Sequence, residues 1–247
     1  WGWPVELAGV GGKGLKGRGE HAAARGLVQD VETANYTAGL TDAALASYIG
    51  TADIVGACPV VRIGRFDRDD PQWRMLAGIC NAYAGESTRA GNDLRRLLNS
   101  GAAARIDALL AQRFAGAAGN GRRGVTIEWD GVEELTPLRF ALANAVGEEI
   151  PETLSDAMGP YYRLSAATAP MIPLPQRAQS AGFAASQGVL SSRAIIDLYS
   201  QIYAIEGLEG EPAARAARLR QAYVDNDPAA RLAAIRDIWS GSPEGDA

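Results

Sequence analysis

Apolar residues return at three- and four-residue steps through most of this chain, and prolines and glycines cut the pattern into short lengths. The stretch from Asp69 to Gly101 shows the arrangement in full. Trp73, Leu76, Ile79, Cys80 and Tyr83 share one helical face. Asp69 or Asp70 can cap the start, and Pro71 fits the first helical position, where its missing N–H costs nothing. Gly85 supplies a stop. Ser87 or Thr88 opens a second helix with Ala90, Leu94, Leu97 and Leu98 on its inner face, and Gly101 ends it. The spacing predicts a helical hairpin.

Much of the remaining chain reads as looser versions of that unit. A helix is expected over 20–35, with a break at Gly39 and a short helix capped by Thr41 carrying Ala43, Leu45, Tyr48 and Ile49. Ile54 to Gly64 is apolar and β-branched but broken by Pro59, so it reads as an extended connection or a lone strand. Ile106, Leu109, Leu110 and Phe114 form the inner face of a helix over 102–115. Val125 to Trp129 alternates enough for a short strand or an extended linker, and Asp130–Gly131 is a turn signal. Thr136–Pro137 repeats the cap-and-proline start of a helix that ends at Gly147. Short helices are expected over 152–158 and 160–167. A second hairpin spans Leu174 to Ala204 and turns at Gly188; Ile195, Leu198, Tyr199, Ile202 and Tyr203 make its inner face. Pro212 and Pro228 each open a further helix. The last is capped by Asp227, with Leu232, Ile235, Ile238 and Trp239 expected to face inward.

The fold class that follows is all-α: stacked antiparallel helical hairpins, α-solenoid-like, with little or no β structure. Residues 1–19 form a glycine-rich N-terminal arm, 20–240 a single helical-repeat domain with a subdivision point at 116–124, and 241–247 a polar tail. Within 73–98, Trp73, Leu76, Ala77, Gly85, Ala90 and Leu94 resemble a tetratricopeptide hairpin. The resemblance covers about a tenth of the chain. It implies a helical scaffold that binds a protein or peptide.

Composition narrows the function classes. A chain of 247 residues that is 47% hydrophobic and 21% charged has the make-up of a folded domain with a real core. No apolar run approaches the roughly 20 residues of a membrane-spanning helix. The net charge of −5 disfavours nucleic acid, whose phosphates require a concentrated basic face. Lys13 and Lys16 are the two lysines and every other basic residue is Arg, a skew expected of a GC-rich bacterial genome. The chain opens at Trp1, consistent with a removed leader or a trimmed end. A removed signal peptide would mean export, so a periplasmic or secreted location is favoured over a cytoplasmic one.

The chemistry-bearing residues are few. Cys58 and Cys80 are the two cysteines: they read as buried thiols, or as a disulfide in an oxidising compartment. His21 is the single histidine, which leaves little for zinc or for a Ser–His pair, and no metal or cofactor is expected. Gly9 to Gly14 superficially matches a phosphate loop but lacks the Ser or Thr after Lys13. Asp67, Asp69 and Asp70 precede a helix, where N–H groups favour negative charge. Glu128, Asp130, Glu133 and Glu134 are the second acidic cluster. Paired carboxylates are what glycoside hydrolysis uses.

The function expected is a non-enzymatic helical-repeat scaffold that binds a protein or peptide partner, as part of a bacterial assembly or as an oligomer. The alternative is an all-helical glycan-cleaving enzyme built on the paired carboxylates. Trp1, Trp3, Tyr161, Tyr162 and Arg163 are the candidate partner-binding residues: two aromatics on the arm, and an aromatic pair beside an arginine.

Overall fold

The computed structural model describes residues 21–63, 68–118, 124–151, 153–154, 160–169 and 172–240, the side chains of 33, 160 and 161 apart. The chain forms two compact units, the first ending at Ser165 and the second beginning at Ala166. Twelve α-helices and no strand occur among the described residues. The all-α expectation is met, and helices adjacent in sequence pack on one another within each unit.

The first unit contains α1 (His21–Gln29), α2 (Ala38–Gly50), α3 (Cys58–Val61), α4 (Pro71–Tyr83), α5 (Ser87–Ser100), α6 (Arg105–Ala118) and α7 (Pro137–Val146). The expected hairpin is α4 and α5. Asp70 caps α4, its Oδ1 accepting from Trp73 N at 2.9 Å, with Pro71 next in line. Gly85, at φ +89°, turns the chain in a conformation that a side chain would strain. No side chain caps α5; Glu86 precedes it and Ser87 is already helical. Helix α6 packs on both members of the hairpin. Leu76, Ile79, Leu94, Leu97, Leu110 and Leu142 are buried at their meeting point.

Three local expectations are corrected. The break falls at Asp30–Glu32, and Gly39 lies inside α2, because Thr37 is the cap: its hydroxyl accepts from Leu40 N at 3.2 Å. Thr41 instead donates to the Thr37 carbonyl at 2.9 Å. Residues 54–63 form turns around α3, with Pro59 at a helix start where it needs no donor. That short helix brings Cys58 to Cys80 of α4, and the two form a disulfide with Cα atoms 5.4 Å apart. Residues 124–136 run without regular structure. They turn at Gly131, where Val132 N donates to the Trp129 carbonyl at 3.1 Å, so the linker reading holds over the strand.

Helix α8 (Pro160–Thr168) crosses from one unit to the next in sequence. The second unit continues with α9 (Leu174–Ser186), α10 (Ser192–Tyr203), α11 (Glu211–Val224) and α12 (Pro228–Ser240). Its interior is built largely of alanine: Ala178, Ala181, Ala184, Ala216, Ala222 and Ala234 are buried, with Leu190, Leu198, Tyr199 and Ile202 among the larger members. Small side chains let helices approach but cover little apolar surface. Leu232, Ile235 and Trp239, expected inside, are therefore exposed, Trp239 by 80%. Their stripe is apolar at helical spacing, but α12 buries the side marked by Ala234 against its neighbour.

Candidate partner-binding groove

The second unit is the smaller one, yet among the described residues it carries most of the exposed large apolar side chains: Tyr203, Ile205, Tyr223, Val224, Leu232, Ile235 and Trp239. Four of the side chains on α10, Ile196, Tyr199, Ser200 and Tyr203, stand at i, i+3, i+4 and i+7. Ala216, Leu219, Arg220 and Tyr223 repeat that spacing on α11, and Val224 extends it. The two rows wall one groove. Its helices are anchored at their starts, α10 by Ser191, whose Oγ accepts from Ala194 N at 3.2 Å, and α11 by Pro212 after Gly210.

The groove is shallow, about 100 Å³. That is well below the few hundred Å³ of ordinary small-molecule pockets and suits one or two side chains. Tyr199 forms its floor and is buried, which pushes its phenol pKa up against the opposing pull of Arg215. Tyr203 and Tyr223 are about half exposed at the rim. The Arg220 guanidinium lies 4.7 Å from the Tyr203 ring centre, and Arg215 lies 5.5 Å from that of Tyr199. These are cation–π contacts, and they hold two arginines against aromatic faces.

The residues singled out from sequence fall elsewhere. Trp1, Trp3 and the Tyr161 side chain lie outside the described residues. Tyr162 turns inward: its hydroxyl donates to the Leu135 carbonyl and its ring packs 5.5 Å from Phe140. Burial raises its pKa, and Glu134 adds to the effect. Arg163 is exposed. Tyr223 and Arg220 were missed. Their signal was the run Ala216, Leu219, Arg220, Tyr223 in an otherwise alanine-rich helix.

The acidic clusters have separate fates. Asp67 lies outside the described residues; Asp69 pairs with Arg74 at 3.5 Å, and Asp70 caps α4 while accepting from Arg68 at 3.1 Å. Arg68 also meets Asp42 at 2.5 Å and stacks 4.8 Å from the Trp73 ring centre, on the wall of a cavity of about 280 Å³ that Gln72 and His21 share. Those charges are matched within the fold. Glu128, Asp130, Glu133 and Glu134 line one opening of about 430 Å³ with Arg105 and Arg139. Glu128 faces Arg105 at 3.4 Å. Among the described residues, no group of three or more His, Cys, Asp or Glu could hold a metal ion, and no helix is long and apolar enough to cross a membrane. Set against known proteins, the chain matches no family model, no curated protein and no solved structure.

Proposed function

We propose that this protein is a helical-repeat scaffold of the tetratricopeptide-like kind that binds a protein or peptide partner in an oxidising, extracytoplasmic compartment. The observation that carries the reading is the α10–α11 groove, with Tyr203, Tyr223 and Val224 left about half exposed around it. Exposed aromatics clustered with arginine are what partner anchors are made of. The α4–α5 hairpin with α6 packed on both helices supports the repeat character, and the Cys58–Cys80 bridge supports the compartment. The test is affinity purification from the source cells with the unaltered chain and with Tyr203→Ala/Tyr223→Ala. One polypeptide recovered by the first and lost by the second is the expected result. Identical recoveries would remove the groove from the reading.

A second reading, carboxylate-based glycan cleavage, is favoured by one observation: four acidic residues share the opening beside Arg139. Such catalysis needs one carboxylic acid and one carboxylate across the substrate. A glycan-cleavage screen on the unaltered chain, Glu128→Gln and Glu134→Gln tests it. Activity lost in one of the two variants supports the reading, and no activity in the unaltered chain ends it.

A further inference from the structure

We propose that the α10–α11 groove takes an acidic amphipathic helix, whose apolar side chains fill the channel between Tyr199, Tyr203 and Tyr223 and whose carboxylate is held by Arg220. The inference rests on the partner-binding reading and specifies the partner's chemistry.

The shape selects a helix. Both walls are helical rows spanning seven residue steps, so the channel runs for about 10 Å at roughly 1.5 Å per residue. A helix places its i and i+3 or i+4 side chains within that length. An extended peptide would cross it in about three residues and bring its backbone N–H and C=O groups against the walls. Both walls are helix faces, whose own backbone groups are paired along the helix except for the last carbonyls at the Tyr203 and Val224 ends. The polar side-chain groups on offer are the hydroxyls of Ser200 and the tyrosines and the Arg220 guanidinium. A helix satisfies its own backbone and asks only for side-chain contact.

The charge selects an acid. Among the described residues that line the groove, Arg220 is the one that carries a charge. Elsewhere in this unit Arg193 pairs with Asp197 at 3.5 Å and Arg218 with Asp237 at 3.6 Å. Arg215 and Arg220 form no salt bridge among the described residues, and both stack on tyrosine rings instead. Stacking uses the flat face of a guanidinium and leaves its N–H edge in the plane, the geometry that takes a carboxylate through two parallel hydrogen bonds. Among the described residues no acid lines the groove beside Arg220, although the Glu211 carboxylate acts on Tyr199 at its floor, so a basic partner would set its charge against Arg220.

The probes are three fluorescein-labelled 16-residue helical peptides with one shared leucine stripe, flanked by Glu, Gln or Lys. They are titrated against the full chain by fluorescence anisotropy. The Glu peptide is expected to bind about tenfold tighter than the Gln peptide, with the Lys peptide weakest and the gap narrowing in high salt. Arg220→Gln should erase that tenfold gap, the Glu and Gln peptides then binding the variant equally; Arg220→Lys should restore part of it. Tyr223→Ala should weaken all three. Equal binding of the Glu and Gln peptides, lost in Tyr223→Ala, overturns the acidic-partner inference and leaves the groove standing. No binding, or binding that ignores Tyr223→Ala, overturns both. A concentration-dependent dimer in sedimentation, dissociated by Tyr223→Ala, makes a second copy the occupant and overturns the inference as well. Arg220 is exposed on its helix, so its variants keep the fold, and far-UV circular dichroism checks this.

Discussion

Arg139 of α7 grips Asp107 of α6 through two hydrogen bonds, Nε to Oδ1 at 2.7 Å and Nη2 to Oδ2 at 3.1 Å. Its remaining amino group, Nη1, donates to the Glu134 carbonyl. The two side chains are only 8% and 13% exposed. Asp107 stands in the first turn of α6, where the helix N-terminus favours its charge. The pair clamps two helix starts and the linker between them. Removing one partner leaves the other charge buried, so Asp107→Ala should lose roughly 3–5 kcal/mol in urea unfolding. Asp107→Leu/Arg139→Met should lose less than the single variant. A single variant as stable as the unaltered chain would contradict the clamp.

The Cys58–Cys80 bridge closes a loop with a sequence separation of 22. By chain entropy alone such a loop contributes about 3 kcal/mol through the unfolded state. Cys58→Ser/Cys80→Ser, or reduction of the unaltered chain, should lower the unfolding midpoint accordingly. No change in midpoint on reduction would mean that the cross-link adds nothing.

A methyl group on Gly78 would stand 2.8 Å from Leu94 Cδ2, on a side chain that is 1% exposed. The absence of a side chain at this point of α4 is what lets α5 lie so close. Gly78→Ala favours the helix backbone slightly, but the overpacking should dominate, destabilising by roughly 1–3 kcal/mol. Gly91→Ala on α5, where a methyl meets nothing within 4 Å, is the control and should be neutral or stabilising. Equal effects at the two positions would remove packing as the cause.

Tyr36 donates its hydroxyl proton to the Val28 carbonyl at 2.9 Å from a buried position, and burial, helped by Tyr48, pushes its pKa up from 10.0 to about 12. The folded chain therefore favours the neutral phenol. Its contribution is complete below pH 10 and is lost as pH rises through about 12. That loss amounts to roughly 2–3 kcal/mol. Urea midpoints at pH 9 and pH 11.5 in the unaltered chain and Tyr36→Phe measure it. The variant should start lower and fall less between them. Parallel falls would place the alkaline sensitivity elsewhere.

Helix punctuation was legible because it is local. Asp70 and Thr136 each accept from the backbone N–H three residues on, and Pro71 and Pro137 follow their caps directly. Every atom those contacts need lies within one turn, so residue type and spacing suffice. Thr37 was missed for Thr41 because both are threonines ahead of an apolar run, and one turn separates the two choices.

What a helix packs against is a different kind of fact. The stripe of Leu232, Ile235 and Trp239 has the spacing of an inner face, yet it is exposed, because the surface α12 meets is small and alanine-rich. Cys58 and Cys80 read first as buried thiols and second as a disulfide, and α3 sets one beside the other as a disulfide. Tyr162 beside Arg163 had the composition of an exposed anchor, and the carbonyl of Leu135, 27 positions away, drew its hydroxyl inward. The sequence by itself determined the all-α class and the main helix boundaries, since these rest on periodicity and caps. Only the tertiary structure decided which apolar faces stay uncovered and which arginines form no salt bridge among the described residues. Those depend on contacts between residues far apart in the chain, to which neither periodicity nor composition refers.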